Sequence, residues 1–158
     1  MVVIRGALKF SLDFPVDKNG SVIDKATVIS EHTTDLLDVA TNLPSTFGAA
    51  LKWLMKWREM TVEELSEYTL LAPETISRMR SKADYNPTLK SVIVLCIGLQ
   101  LPPILGHKLI GLAGHVLRHA IKENMMYEII LDGCSTYTIY ECNDLLVAND
   151  CEPLISGD

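Results

Sequence analysis

After Pro44 the apolar residues recur at steps of three and four positions, the spacing that gathers side chains on one face of an α-helix. Ser45 or Thr46 stands directly before the first stripe and can cap a helix there. The stripe consists of Phe47, Ala50, Leu51, Leu54 and Trp57. The sequence therefore predicts a helix that begins at about residue 47.

Local signals mark the starts of the later helices. Thr61 and Glu64 have the spacing of a capping box, in which each side chain satisfies a backbone N–H at the helix start. Proline suits the first helical turn because its missing N–H needs no partner there. With the prolines at 73, 87, 102 and 103, these signals predict helices that start at Thr61, Pro73, Leu89 and Pro103. The last two are predicted to end at Leu99 and near Gly114, and two more to cover Arg118–Leu131 and Thr138–Asn149.

The first 44 residues show a different pattern of apolar and polar positions. Val2–Phe14 alternates loosely, and Asp17–Gly20 contains the Asn-Gly pair that favours tight hairpins. Val22–Ile29 can form the returning strand, so a short β-hairpin is predicted here. The fold class predicted for the chain is therefore mainly α. Its predicted parts are an N-terminal arm over 1–44, a helical domain over 45–114 and a helical extension over 115–158.

The segment from Thr61 to Arg80 is the most informative part of the sequence. It contains two short helices separated by the tight connection Thr69–Ala72. Ser66 is a small residue at a position where two steeply crossing helices would approach closely, and Ile76 is spaced to pack against the first helix. This spacing is typical of a helix-turn-helix, whose second helix presents its N-terminal residues to the major groove of DNA.

The stretch from Val62 to Arg78, VEELSEYTLLAPETISR, resembles the helix-turn-helix of the lambda-repressor/Cro (XRE-like) transcriptional regulators. Downstream, 86–89 and 97–102 resemble the fourth and fifth helices of that family. The resemblance covers about Phe47 to Leu105. It implies a five-helix bundle that binds operator DNA in a sequence-specific manner, often as a two-fold homodimer.

The resemblance also implies roles for individual residues. The positions that would face DNA are Glu74, Thr75, Ser77 and Arg78. The positions that would form the core are Leu51, Leu65, Ile76, Leu89 and Leu95. The chemistry of the side chains agrees in part, because lysine and arginine can hold phosphates and hydroxyl groups can reach base edges. The candidate phosphate contacts are Arg78, Arg80 and Lys82, with Lys52 and Lys56 over the flanking backbone.

Three residues depart from the family pattern. Leu70 stands where the family usually has the glycine of the turn, so the turn is expected to be wider or to be held by packing. Pro73 and Glu74 replace polar or basic residues at the start of the recognition helix. A carboxylate there can accept a hydrogen bond from cytosine, but it also repels phosphate.

Charge gives only modest support to DNA binding. The chain has a formal net charge of −6. Between Ser45 and Lys90 there are seven basic and six acidic residues, so this segment is the least acidic part of the chain. The alternative interpretation is a non-catalytic protein-interaction module on the same scaffold, such as an antitoxin-like or regulatory partner of another chain. A positive stripe of Lys52, Lys56, Arg78, Arg80 and Lys82 would favour DNA, whereas a face lined by Glu63, Glu67 and Glu74 would favour a protein partner.

Other chemistries find little support in the sequence. There is no Gly-x-Ser-x-Gly, no phosphate-binding Gly-x-x-x-x-Gly-Lys and no Gly-x-Gly-x-x-Gly, so the chain is not expected to be an enzyme or to need a cofactor. His115 and His119 are one helical turn apart if that segment is helical, a spacing that can hold zinc. Val116 occupies the place of the glutamate that zinc peptidases require, and no metal site is predicted.

Composition limits the location and class of the protein. The chain has 48% hydrophobic and 22% charged residues, a composition typical of an ordinary globular protein. No secretory signal is visible and the cysteines form no Cys-x-x-Cys pair, so free thiols and a cytoplasmic location are expected. The uncharged stretch Ser91–His107 contains Pro102-Pro103 and is predicted to be buried helices, without any membrane contact.

Two amphipathic helices are expected after Gly114. Their apolar residues include Met125, Ile129 and Tyr140. Most of these residues should be core. Any apolar stripe that stays uncovered is expected to be a dimer surface, because short helices rarely leave that much apolar area in water.

Overall fold

The computed structural model describes residues 25–133 and 136–156 of the chain. In that part of the chain all regular structure is helical, which confirms the mainly α prediction. The eight described helices are α1 (Lys25–Asn42), α2 (Phe47–Trp57), α3 (Val62–Thr69), α4 (Pro73–Ser81), α5 (Leu89–Gly98), α6 (Pro103–Leu112), α7 (Lys122–Gly133) and α8 (Ile139–Ala148). None of these helices has the length and apolar character that crossing a membrane requires.

The predicted signals for helix starts are largely confirmed. At α3 the N–H of Thr61 donates to Glu64 Oε2 at 2.8 Å, and the N–H of Glu64 donates to Thr61 Oγ1 at 3.2 Å. The same capping box, formed by Thr138 and Glu141, starts α8. Thr46 is the residue before α2, but its side chain makes no capping hydrogen bond.

Five described helices are followed by a residue with a left-handed backbone. One is Leu70 after α3, and the other four are Glu59, Gln100, Gly114 and Asp150, which follow α2, α5, α6 and α8. At each of these four the next residue donates its N–H to a carbonyl five positions back, as in a Schellman motif. Only one of the four residues is a glycine, so most of these ends carry no obvious sequence signal.

Helix α5 lies at the centre of the described fold. Every residue from Val92 to Leu99 is buried, and the helix contacts α3, α6, α7 and α8. This confirms the prediction that the uncharged stretch after Ser91 forms a buried helix. Of the predicted core residues, Leu51, Leu65, Ile76 and Leu95 are fully buried, and Leu89 is half-buried.

Gly98 allows α3 and α5 to approach closely. A Cβ atom at Gly98 would lie 2.4 Å from Thr69 Cγ2 and 3.0 Å from Leu65 Cδ1. Thr69 cannot easily turn away, because its hydroxyl donates to the carbonyl of Leu65 at 2.6 Å and accepts from the N–H of Leu71 at 3.3 Å. The position of α3 on α5 therefore depends on a glycine at 98.

Arg58 connects the end of α2 to the end of α5. Its Nε donates to the carbonyl of Leu99 at 3.1 Å, and a terminal nitrogen donates to the carbonyl of Gln100 at 2.8 Å. The guanidinium also lies 4.2 Å from the ring centroid of Trp57, which stacks on Trp53. Burial lowers the pKa of Arg58 to about 10, so the group is charged at neutral pH.

Three sequence-based predictions are wrong in part. Lys25–Ile29, the end of the predicted returning strand, is the start of α1, because the residues that follow it continue one helix to Asn42. The other residues of the predicted hairpin lie outside the described chain. The helix predicted from Arg118 starts at Lys122, and residues 113–121 are irregular. His115 and His119 are therefore not on one helical face.

Candidate functional site

The turn between α3 and α4 is tight and is held by side chains. Leu70 has φ of +60°, a left-handed conformation that glycine adopts more easily. The hydroxyl of Ser66 donates to the carbonyl of Leu71 at 2.6 Å. The sequence left open a wider turn or one held by packing, and the structure shows three residues, 70–72, between the two helices with this hydrogen bond across them. The small residue at position 66 supports the turn directly.

Helix α4 buries one face and exposes the opposite one. Ile76 and Met79 are fully buried against the core. Positions 74, 77, 78 and 81 follow the i, i+3, i+4, i+7 spacing of one helical face, which points away from that core. Glu74, Arg78 and Ser81 are exposed and Ser77 is half-buried. Of the residues predicted to face DNA, Thr75 is half-buried and lies beside this outer face.

The start of α2 lies against the end of α4. A Cβ atom at Gly48 would lie 2.9 Å from the carbonyl oxygen of Met79 and 3.0 Å from that of Arg80. Because Gly48 has no side chain, the first turn of α2 can contact the last carbonyls of α4. The partially positive N-terminus of one helix thus meets the partially negative C-terminus of the other, which is favourable.

A cavity of about 500 Å³ opens beside this contact. Residues 45–49 at the start of α2 form one wall, and residues 80–83, which include the last two residues of α4, form another. Three cationic residues line it, namely Lys52, Arg80 and Lys82. Among the described residues of its lining there is no aspartate or glutamate.

A second cavity of about 450 Å³ extends the cationic region along α2. Lys52, Lys56 and Arg80 line it, again without an acidic residue among the described lining. Lys52 and Lys56 are four positions apart and so lie on one face of α2. Lys52 and Arg80 belong to both cavities, so the two cavities form one continuous surface, which we call the α2–α4 cationic surface (Lys52, Lys56, Arg80 and Lys82).

The guanidinium of Arg80 is only partly satisfied by the protein. Its Nε is buried and has no hydrogen-bond partner among the described residues. A buried N–H without an acceptor costs about 1–3 kcal/mol. The charge of Arg80 nevertheless lies beside both cavities, which Lys52 also lines.

The eight predicted site residues fall into two groups. Lys52, Lys56, Arg80 and Lys82 come together on the α2–α4 cationic surface. Glu74, Thr75, Ser77 and Arg78 belong to the exposed side of α4. Arg78 lines neither cavity, so the structure does not join all five predicted cations into a single cavity lining. Sequence reasoning missed Gly48, whose only signal is its lack of a side chain, and Ser81 on the outer face.

The buried thiols and the histidines do not form a further reactive site. Burial raises the pKa of Cys96 to about 12, and burial with the nearby charge of Glu141 raises that of Cys142 to about 12. Within the described residues no group of three or more His, Cys, Asp or Glu residues is arranged to hold a metal ion. His115 Nε2 lies 2.7 Å from the carbonyl oxygen of Pro87, which gives this ring a structural contact.

Comparisons of the chain with protein-family models, with curated proteins and with solved structures found no significant match.

Proposed function

We propose that this protein is a sequence-specific DNA-binding transcriptional regulator in which α3, its turn and α4 act as a helix-turn-helix. The observation that carries the proposal is the α2–α4 cationic surface beside the exposed face of α4. In this proposal α4 enters the major groove and the cationic surface holds the adjacent phosphates. The protein acts by occupying an operator and performs no chemistry.

The geometry of α3 and α4 supports this docking. The outer face of α4 carries Glu74, Ser77, Arg78 and Ser81, side chains that can exchange hydrogen bonds with base edges. Arg78 is the strongest candidate for base reading, because a guanidinium can donate two parallel hydrogen bonds to guanine. Glu74 is exposed in the first turn, where it can accept from a cytosine amino group.

The cationic surface supports the phosphate contacts. The cations that line the two cavities favour an anion. Thr46, which lines the first cavity, makes no side-chain hydrogen bond to the first turn of α2. Phosphate contacts fix the orientation of a protein on the duplex, whereas contacts to bases provide the specificity. The two groups of site residues match this division of roles.

The proposal is tested by a mobility shift of the purified full chain on DNA from upstream of its own gene, at two salt concentrations. We expect a discrete complex that survives unlabelled competitor DNA and weakens as salt rises, since phosphate contacts release counterions. The matched control is the Lys52→Glu, Arg80→Glu double variant, which reverses two charges of the cationic surface.

Two results would overturn the proposal. One is the absence of any complex below roughly 10⁻⁵ M, where even non-specific binding is common. The other is an unchanged complex with the double variant, provided that its circular dichroism matches that of the wild type. Either result would favour the protein-interaction module, which a pull-down with the same protein would then examine.

A further inference from the structure

The two cavities beside α2 differ in the chemistry of their linings. Apart from its cations, the second cavity is lined by apolar residues, namely Pro44, Ala49, Trp53, Met55 and Met60. The first cavity also has hydroxyl and amide side chains in its lining, which belong to Ser45, Thr46, Ser81 and Asn86. A mainly apolar cavity therefore adjoins a more polar one.

Two cations stand where the cavities meet. Lys52 and Arg80 line both cavities, and no aspartate or glutamate is among the described residues of either lining. The ion pairs found in the described part of the chain involve neither of these two residues. A hydrogen bond between a cation and an anion is strong, and it is stronger still where apolar walls exclude part of the water. The boundary between the cavities therefore favours the anionic group of a ligand.

Trp53 gives the second cavity an aromatic wall that is held in place. Its ring stacks on that of Trp57, with the ring centroids 6.4 Å apart and an angle of 24° between the ring planes. Trp57 is held in turn by Arg58, whose guanidinium lies 4.2 Å from its ring centroid. Met55 and Met60 are buried beside this cavity, and methionine side chains adapt to the shape of an apolar neighbour. The lining of the second cavity therefore suits the apolar body of a ligand.

We propose that the two cavities form one binding site for a small organic anion with an apolar body. The anionic group lies between Lys52 and Arg80, and the apolar body lies against Trp53 in the second cavity. Cavities of about 300–1,000 Å³ with apolar walls and a few charged groups are typical of small-molecule sites. The volumes of about 500 and 450 Å³ fall in this range.

The site has a regulatory consequence that rests on the proposed function. An operator phosphate on the α2–α4 cationic surface and the anionic group of the ligand need the same two cations, Lys52 and Arg80. Only one of them can occupy this place at a time, so the ligand acts as an effector that releases the operator. The binding of the ligand itself does not depend on DNA.

The test titrates the full chain with sodium octanoate, without DNA, by isothermal titration calorimetry. We expect saturable binding with a dissociation constant of roughly 0.1–1 mM, the range that a ligand of this size can provide. Octylammonium chloride has the same apolar chain and the opposite charge, so it should bind at least about 10-fold more weakly. Trp57→Phe leaves Trp53 as the only tryptophan of the chain. Octanoate should change the fluorescence of this variant with the same dissociation constant.

Three variants locate the ligand. Lys52→Met removes one cation of the boundary and should weaken octanoate binding about 10-fold, as expected for one lost charge-assisted hydrogen bond. Ala49 is exposed and lines both cavities, so Ala49→Phe fills part of the site and should weaken binding at least as much. Lys122→Met is the matched control, because Lys122 is exposed on α7 and lines neither cavity. This control should bind octanoate like the wild type.

Several results would overturn the proposal. They are the absence of saturable octanoate binding up to about 10 mM, equal affinity for octylammonium, and unchanged binding by Lys52→Met. Equal weakening by Lys122→Met would also overturn it, since the effect would then depend on the overall charge and not on the site. Circular dichroism of each variant checks that it is folded.

A last measurement separates this proposal from the proposed function. Saturating octanoate should weaken the mobility shift of an operator complex formed by the wild type. A protein that binds octanoate and leaves the operator complex unchanged would overturn the competition, because Lys52 and Arg80 would then not be shared. A protein that binds octanoate but no DNA would overturn the proposed function and leave the ligand site in place.

Discussion

Helices α4 and α7 pack on different neighbours and expose opposite kinds of surface. Both bury one apolar stripe in the core. The outer face of α4 is polar, and the outer face of α7 is apolar at Met125 and Ile129. Water solvates the first face well, whereas the second gains free energy when another surface covers it. The buried residues of a helix therefore indicate how it packs in the fold, and its exposed residues indicate what kind of partner it can bind.

The largest effect is expected where the support of α4 is disturbed. Gly98→Ala introduces a Cβ 2.4 Å from Thr69 Cγ2, so α3 must move on α5 or Thr69 must lose its hydrogen bonds. We expect the free energy of unfolding to fall by about 3 kcal/mol, measured by urea denaturation. In Gly111→Ala, the matched control, the added Cβ has no atom within 4 Å, and stability should rise by about 0.5–1 kcal/mol. Equal stability of Gly98→Ala and wild type would contradict the close approach of α3 and α5.

The next effect concerns the outer face of α4. Arg78→Ala should weaken binding to the operator by about 1–3 kcal/mol and relax specificity at one base pair, if Arg78 reads a guanine. Arg78→Lys keeps the charge but loses the paired hydrogen bonds, so it should recover little of the specificity. Titrations of the wild type and both variants against an operator and its single-base variants measure the difference. If Arg78→Lys binds and discriminates like the wild type, Arg78 contacts phosphate only.

A smaller effect is expected at the edge of the cationic surface. Lys82→Ala should weaken binding to all sequences alike and lower the salt slope of the binding constant by about 1, as expected for one lost phosphate contact. Ser81→Ala removes a neighbouring polar side chain without changing charge and should leave the slope unchanged. Affinities measured at several salt concentrations give both slopes. Equal slopes for the two variants would remove Lys82 from the interface.

The smallest effect is expected at the turn that joins α3 to α4. Leu70 has φ of +60°, a conformation that disfavours every residue with a Cβ. Leu70→Gly should raise the free energy of unfolding by about 0.5–1 kcal/mol, since glycine relieves this strain but also makes the unfolded chain more flexible. Leu70→Ala retains the strain and should show no such gain. Chemical denaturation that ranks the alanine variant above the glycine variant would contradict a strained turn.

The sequence predicts the starts of helices better than their ends. The starts at Thr61 and Pro73 depend on local chemistry within one turn, which the sequence displays directly. The end of α6 near Gly114 was also predictable, because glycine adopts the left-handed conformation easily. Glu59 and Gln100 adopt it only because the following residues, Met60 and Leu101, are buried in the core. That tertiary cause is invisible in the local sequence.

The strand prediction was wrong over Lys25–Ile29 for a related reason. Val22–Ile29 is rich in β-branched residues, which favour strands locally. The start of α1 is nevertheless helical, because Leu36, Val39 and Ala40 farther along pack one face of the same helix on the core. Packing of a long helix outweighs the weak preference of its first few residues.

The candidate site was predictable residue by residue but not as an arrangement. The spacing of Lys52 and Lys56 places them on one helical face from sequence alone. Their proximity to Arg80 depends on how α2 packs on α4, which in turn depends on Gly48. Arg78 and Arg80 are two positions apart, a spacing that already puts them on different sides of a helix, but only the fold shows that the side with Arg80 borders the cavities.

The contact of Gly48 with the last carbonyls of α4 has a consequence for the kinetics of binding. Because α2 and α4 touch backbone to backbone, Lys52 and Arg80 form a preorganised array whose arrangement needs little ordering when a ligand arrives. Electrostatic attraction should then set the rate of encounter with DNA, and this rate should fall steeply as ionic strength rises. Differences among operator sequences should appear instead in the lifetime of the complex.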